Sequence, residues 1–447
     1  VSWVAPAVAA STIASERGNR TWEPLLLTGL RPAEIAAGKF MAALTYVGLY
    51  LTMLIPVGAL PFLFGGVTAT EVALAFAFLF AFAGLAVAFG LSVSSKFTSP
   101  TAAIIVTLLV AMPLSLIMYL SLGVGLSFGA RELWPALGAG APVWLPGALV
   151  RADLDANYLL FLVLCPLAAM GVPGWFFYEV TRANLSAPSD DRSTGLRRWF
   201  LVSTPVCAAL LAAPGLMFDS RDWALAGMTA LLVLLSFAAV VFVGEPLGPS
   251  ARVLAHWNAT RAGAVTRYLG PGMVPAGTLL LLLGFLCLGA QTAVLAQFIP
   301  SAGRQLLLFG AYATGFFVFV AGASVWLRSL TDSASTPRLL LIGVVFAVTI
   351  GPWVVMAIAG LLTDAPSRAL LIAAPSPTFA MVMVDAVQGS LPDANLLVSA
   401  GVICSGGWAL LGLGLLVLGA LKIARRTAPS RAPDAALAPP AAEPGPS

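Results

Sequence analysis

Ten runs of about 20 mostly apolar residues recur along the chain, at 40–64, 71–93, 100–126, 157–180, 200–218, 224–243, 271–299, 302–327, 338–362 and 395–421. Each is long enough to cross roughly 30 Å of hydrocarbon as an α-helix. The runs are continuously apolar and do not alternate with period two, so helices satisfy their backbones where a barrel would not. A shorter apolar run occupies 1–15. With 60% hydrophobic and only 9% charged residues in 447, the chain departs from soluble domains, which are about a quarter charged. The fold class that follows is an all-α polytopic membrane protein.

Charge orients the helices. Alternate connections at 16–39, 94–99, 181–199, 244–270, 328–338 and the C-terminal tail hold 18 of the 23 Lys and Arg residues. The other set holds only Arg131, Arg151, Arg221, Arg304 and Arg368, and is richer in carboxylates. The first set is therefore expected on the cytoplasmic side, with the C-terminus, and the chain in the cell membrane. Residue 1 then falls outside, and the expectation is that one N-terminal helix precedes the sequence given. The net charge of +4 comes with no basic block, so it reads as loop asymmetry and not as nucleic-acid binding.

The two halves resemble each other. A polar turn, a helix-opening proline and a mid-helix proline recur at 94–113 (Pro100, Pro113) and 331–352 (Pro337, Pro352). "DANYLL" at 155–160 returns as "DANLLV" at 393–398, and Glu23-Pro24-Leu25 as Glu245-Pro246-Leu247. The expected plan is two parallel six-helix halves. The first is 1–185, 186–199 is a cytoplasmic linker, the second is 200–426, and a disordered tail follows from 427 to 447.

Against this apolar background the stretch "SERGNRTWEPLLLTGLRPAEIAAGKF", 15–40, is densely charged. Thr21 suits a helix N-cap, Glu23 and Pro24 its first turn, and Trp22, Leu25 and Leu26 a short apolar face. Thr28-Gly29 ends the turn and Pro32 opens the next helix. The product is a short amphipathic helix held between two membrane helices, able to lie in a groove on a soluble partner or to rest at the interface.

This stretch resembles the signature of ABC-2 type transporter permeases: a Glu-Arg turn (Glu16, Arg17), then Thr21 and Glu23, a Leu pair (Leu25, Leu26), Pro32, and Gly38-Lys39. The resemblance implies a coupling helix that docks on a separate P-loop ATPase subunit, with ATP and Mg²⁺ bound there and no cofactor on this chain. It implies export by alternating access, through a single chain or a homodimer. The second loop, 244–270, lacks the Gly-Lys pair, and its candidate contacts are Glu245 and Arg252. The family's short outer helices near an exit gate correspond to the broken apolar loops 127–156 and 363–394. Trp134, Trp144 and Met383 are the candidate gate residues there, and both tryptophans also suit interfacial anchors.

Other classes are weighed by what the apolar runs contain. Ion-coupled secondary carriers keep ionisable groups at membrane depth, and the central parts of these runs have none. A non-transporting permease-like scaffold remains a further alternative. Gly38-Lys39 is not a phosphate loop, since Phe40 stands where Ser or Thr is required. His256 is the sole histidine, and Cys165, Cys207, Cys287 and Cys404 are scattered through apolar runs, so neither a metal site nor a disulfide is expected.

Overall fold

The computed structural model describes residues 1–137, 144–361, 369–389 and 393–427. The regular structure among these residues is helical, without a strand. Ten of the helical stretches are long and apolar enough to cross a membrane, and they coincide with the ten apolar runs. By internal contacts the chain divides into two compact units. One is Val1–Gly227 with Ser250–Ala262; the other is Met228–Pro249 with the residues from Gly263 onward.

In the first unit, α1 (Val4–Gly18) leads to a six-residue helix, α2 (Trp22–Leu27), and then to α3 (Pro32–Met53). Two single helical turns connect to α4 (Ala69–Ser94). Next comes α5 (Pro100–Met118), which runs through a π-helical segment, Tyr119–Gly125, into α6 (Leu126–Leu133). A short helix, α7 (Leu145–Arg151), precedes a second π segment, Tyr158–Leu164, and α8 (Cys165–Leu185). Pro166 cannot donate the backbone bond an α-helix requires at that position, and the wider π turns take up the mismatch. The unit continues with α9 (Thr194–Met217) and the start of α10 (Arg221–Phe242).

The core of this unit lies where α1 packs against α4. Ala5, Ala9 and Ile13 face Ala83, Val87 and Leu91, with Ile35 and Val47 of α3 closing the layer. Small residues permit the close approach: a Cβ on Gly90 would run into the Pro6 carbonyl and sit 2.9 Å from the Ala9 Cβ. Residues 186–193 are ordered. Asp191 accepts the amides of Ser193 and Thr194, both at 3.0 Å, and so caps α9, while Arg192 donates to the carbonyls of Ser186 and Ala187.

The first unit also holds α11 (Ala251–Ala259). The second unit holds α12 (Ala264–Leu269), α13 (Met273–Phe298), α14 (Gly303–Leu330), α15 (Ser335–Gly360), α16 (Phe379–Val387) and α17 (Ala394–Thr427). Its centre is α14 against α17. Small residues seven apart line the seam: Gly315 meets Ser405, Gly322 meets Gly412, and Gly419 lies against the Trp326 backbone. That spacing keeps them on one face of each helix, so backbones touch and dispersion replaces the hydrophobic drive that lipid removes.

Candidate functional site

The charged patch folds as a strap across the end of the first unit, and its residues divide into those that hold the strap and those that it presents. α1 ends at Gly18, and Arg20 turns the chain with a positive φ of 58°. Thr21 was expected to cap α2; instead its amide and hydroxyl both donate to the Glu16 carbonyl, at 3.0 and 3.2 Å. It closes the end of α1, where carbonyls lack partners. α2 stops as expected: Thr28 donates to the Leu25 carbonyl at 2.6 Å, and Gly29 follows with φ 76°, the left-handed geometry of a helix C-terminus. Glu34 accepts the Arg31 amide at 2.8 Å and fixes the start of α3.

Five of the nine candidate residues here bind the strap to the bundle. Glu16 and Lys39 form an ion pair that ties the end of α1 to α3. Arg17 donates to the Ser95 carbonyl, in the turn between α4 and α5, and stacks over the Trp22 ring at 5.2 Å. Burial lowers the Arg17 pKa from its ordinary value, and the guanidinium remains charged. Trp22 and Leu25 pack onto the α1–α3–α4 core. The network continues inward: Asn184 donates to Ser95 Oγ at 2.8 Å, Tyr178 to the Ala33 carbonyl at 3.2 Å, and Ser94 Oγ accepts the amides of Ile13 and Ala14. The inner ends of α1, α3, α4 and α8 are thereby joined to α2.

The strap presents Glu23 and Pro24, both exposed. It also presents Leu27 at 87% exposure, and Leu30 stands free in the following turn. Leu27 was missed by the sequence reading. Helical spacing could have found it, since with Trp22 and Leu25 turned inward, residue 27, four after Glu23, must face out. The Leu26 side chain lies outside the described residues. Gly38 is exposed, with open space where a Cβ would be.

The candidates in 244–270 do not form an equivalent strap. Residues 244–250 are non-helical, and Glu245 is buried at 6% exposure. Arg328 Nε donates to the Glu245 carbonyl at 2.7 Å, and Arg338 donates to the Val241 carbonyl at 3.3 Å while its guanidinium lies over Gly244. Arg252, on α11, pairs with Asp190 at 2.9 Å. His256 is exposed on the same helix.

At the opposite end of the first unit, Glu71 (1% exposed) accepts the Thr68 amide at 2.8 Å and pairs with Arg151 of α7 at 2.8 Å. Trp134 is buried among Leu126, Ala130 and Phe161. Trp144 is half-exposed and lines a cavity of about 790 Å³ bounded by α4, the first π segment, α7 and α8. In the second unit Met383 is fully buried against Gly401. The segment before α16 is held by donors from three helices: Tyr312 to the Ala374 carbonyl at 2.6 Å, Trp408 to the Pro375 carbonyl at 2.9 Å, and Trp353 to Ser376 Oγ at 3.0 Å.

Among the described residues no cluster of His, Cys, Asp and Glu is arranged to hold a metal. Glu179 lies toward the end of α8, held by Trp175 Nε1 at 3.2 Å and Arg182 at 3.1 Å. Neither it nor Glu71 stands in the middle of a span.

Residues 1–144 match the family model described as ABC-2 family transporter protein, a stretch that takes in the whole strap and the helices on either side. No curated protein and no solved structure matches the chain. The chain is a multi-pass membrane protein whose residues 1–144 are similar to the ABC-2 family transporter proteins.

Proposed function

We propose that this chain is the membrane subunit of an ATP-driven exporter, and that α2 is the element a separate P-loop ATPase subunit grips. The observation that carries the reading is the division of labour in the strap. Trp22 and Leu25 are half-buried against the bundle, with the Arg17 guanidinium over the Trp22 ring, while Glu23, Pro24 and Leu27 face water. An apolar Leu presented beside carboxylates on a firmly anchored helix is a surface for a groove in a partner. ATP and Mg²⁺ would sit wholly on that partner.

Movement would enter at α2 and leave through its anchors. The Glu16–Lys39 pair carries it to α1 and α3, and the Arg17 contact carries it to the α4–α5 turn. The helices re-tilt only if the partner binds the two arrangements unequally, because equal affinity shifts no population. The strap side is then cytoplasmic and the α7 side external. The second half repeats the plan of the first: α15 opens at a polar turn and carries Pro352 inside it, as α5 carries Pro113. That parallel supports a duplicated unit whose second Glu-Pro-Leu, pinned by Arg328, is not part of an exposed helix.

The test is to tag the chain, extract it from native membranes in mild detergent and identify what co-purifies. A stoichiometric P-loop ATPase, lost in Leu27→Asp with the variant still monodisperse, is the expected result. Purification of the chain alone, with transport driven by an ion gradient, would replace this reading with a secondary carrier.

A further inference from the structure

The roughly 790 Å³ cavity at the α7 end of the first unit lies within the ~300–1,000 Å³ range of ligand pockets. It is not part of the strap. Its walls are Phe78 and Phe82 of α4, Tyr119 of the first π segment, Phe128 of α6, and Pro166 and Met170 of α8. All are apolar or aromatic, and the lining residues that carry polar side-chain atoms, Ser127, Tyr119 and Trp144, come from the α5–α6 stretch and from beside α7. Three wall residues, Leu79, Tyr119 and Phe128, are also on the molecular surface, at 40–66% exposure. The cavity therefore opens sideways from spanning helices, at a depth where a bilayer offers hydrocarbon and little else.

Charge identifies the rest of the occupant. Arg131 follows Ser127 and Phe128 by one helical turn, on the same side of α6. It is exposed and makes no ion pair among the described residues. In contrast, Arg151 nearby is committed to Glu71. A cation one turn from the mouth of an apolar slot matches a phosphate joined to a hydrocarbon chain. The π segment widens the helix at the wall, a distortion that recurs at functional positions.

We infer that this cavity holds an acyl chain of a phospholipid, with the lipid phosphate against Arg131. The site needs no nucleotide and no ATPase, so it stands or falls independently of the function proposed above.

The experiment reconstitutes the full chain in phosphatidylcholine nanodiscs containing a trace of diazirine-acyl phosphatidylcholine, or of diazirine-acyl diacylglycerol with the same chain. After irradiation, labelled peptides are mapped, and α15, whose outer face is broadly lipid-exposed, serves as the internal reference. Labelling of Phe78–Phe82 and Tyr119–Phe128 should exceed α15 at least fivefold. Ala75→Phe, which puts a ring into the cavity, should bring it down to the α15 level. Met170→Trp fills the same space from α8 and does so even if Ala75→Phe fails to assemble. Arg131→Gln should lower labelling by phosphatidylcholine several-fold and leave the diacylglycerol unchanged. Uniform labelling of all lipid-facing helices, insensitive to both filling variants, would overturn the site. Equal loss of both probes in Arg131→Gln would overturn the phosphate assignment.

Discussion

The Glu16–Lys39 pair can be separated from direct contact with an ATPase by exchanging its charges. Both side chains are about three-quarters covered, at 26% and 27% exposure. The pair thus sits at the upper end of the range for surface ion pairs, about 1 kcal/mol. Since 1.4 kcal/mol is tenfold, neutralising one partner should raise the opening equilibrium of the strap about fivefold. Lys39→Met should cost more than Glu16→Gln, because the second Glu16 oxygen is buried without a hydrogen bond and would lose its nearest cation. Hydrogen–deuterium exchange of the peptide 20–30 reads this opening through its hydrogen-bonded amides, those of Arg20, Thr21 and Thr28 among them. Each single neutralisation should accelerate exchange, the double should be no faster than Lys39→Met alone, and the swap Glu16→Lys with Lys39→Glu should restore protection. Additive single effects would refute the pairing. The swapped chain also decides the role of Glu16 in coupling. If it retains the ATPase, both residues serve only to position the strap; if it folds normally and loses the ATPase, Glu16 or Lys39 touches the partner.

Three further outcomes follow from packing and hydrogen bonding. Gly412→Leu drives a side chain into the Val318 carbonyl and the Phe319 amide; overpacking of this kind costs about 1–3 kcal/mol or more, and the chain should lose its monodisperse peak in size-exclusion chromatography, whereas Gly414→Leu, with open space around it, should not. Tyr312→Phe leaves the Ala374 carbonyl without its donor, a loss of about 1–3 kcal/mol that should appear as a lower thermal midpoint and faster exchange over 369–379. Arg328→Gln removes the group that holds residue 245; losing a hydrogen bond to a charged group costs about 1.5–3 kcal/mol, so exchange over 244–249 should rise sharply while the α2 peptide is unchanged.

The spans were legible because a bilayer demands continuous apolar length, and that demand is written locally in residue type. The strap was partly legible. Its boundaries at Gly29 and Pro32 follow from backbone preferences, but its orientation needed to know which face meets the core. That is why Leu25 and Leu26 were named and Leu27 was not. The roles of Arg17 and Lys39 were also out of reach, since their partners, Ser95 and Glu16, stand 78 and 23 residues away. The two π segments left no periodic signal, whereas the seven-residue spacing of Gly315 and Gly322, and of Ser405, Gly412 and Gly419, was present all along.

The tripeptide Glu-Pro-Leu shows where local sequence stops carrying information. At 23–25 it lies in a helix with its carboxylate in water; at 245–247 it is non-helical with the carboxylate buried. Both copies have the same propensities, and proline suits a first helical turn as well as an extended link. The difference comes from elsewhere in the chain. Arg328 and Arg338, on α14 and α15, reach the backbone beside the second copy, and Gly244 has no side chain to keep the Arg338 guanidinium away. Around the first copy, Arg17 grips the neighbouring Trp22, Lys39 is satisfied by Glu16, and Arg20 and Arg31 are exposed. Glu23 lies on the exposed side of α2, in solvent. A chain carrying Gly244→Ala should therefore displace Arg338 and loosen 244–249, without giving the second copy the half-buried aromatic anchor that holds α2 in place.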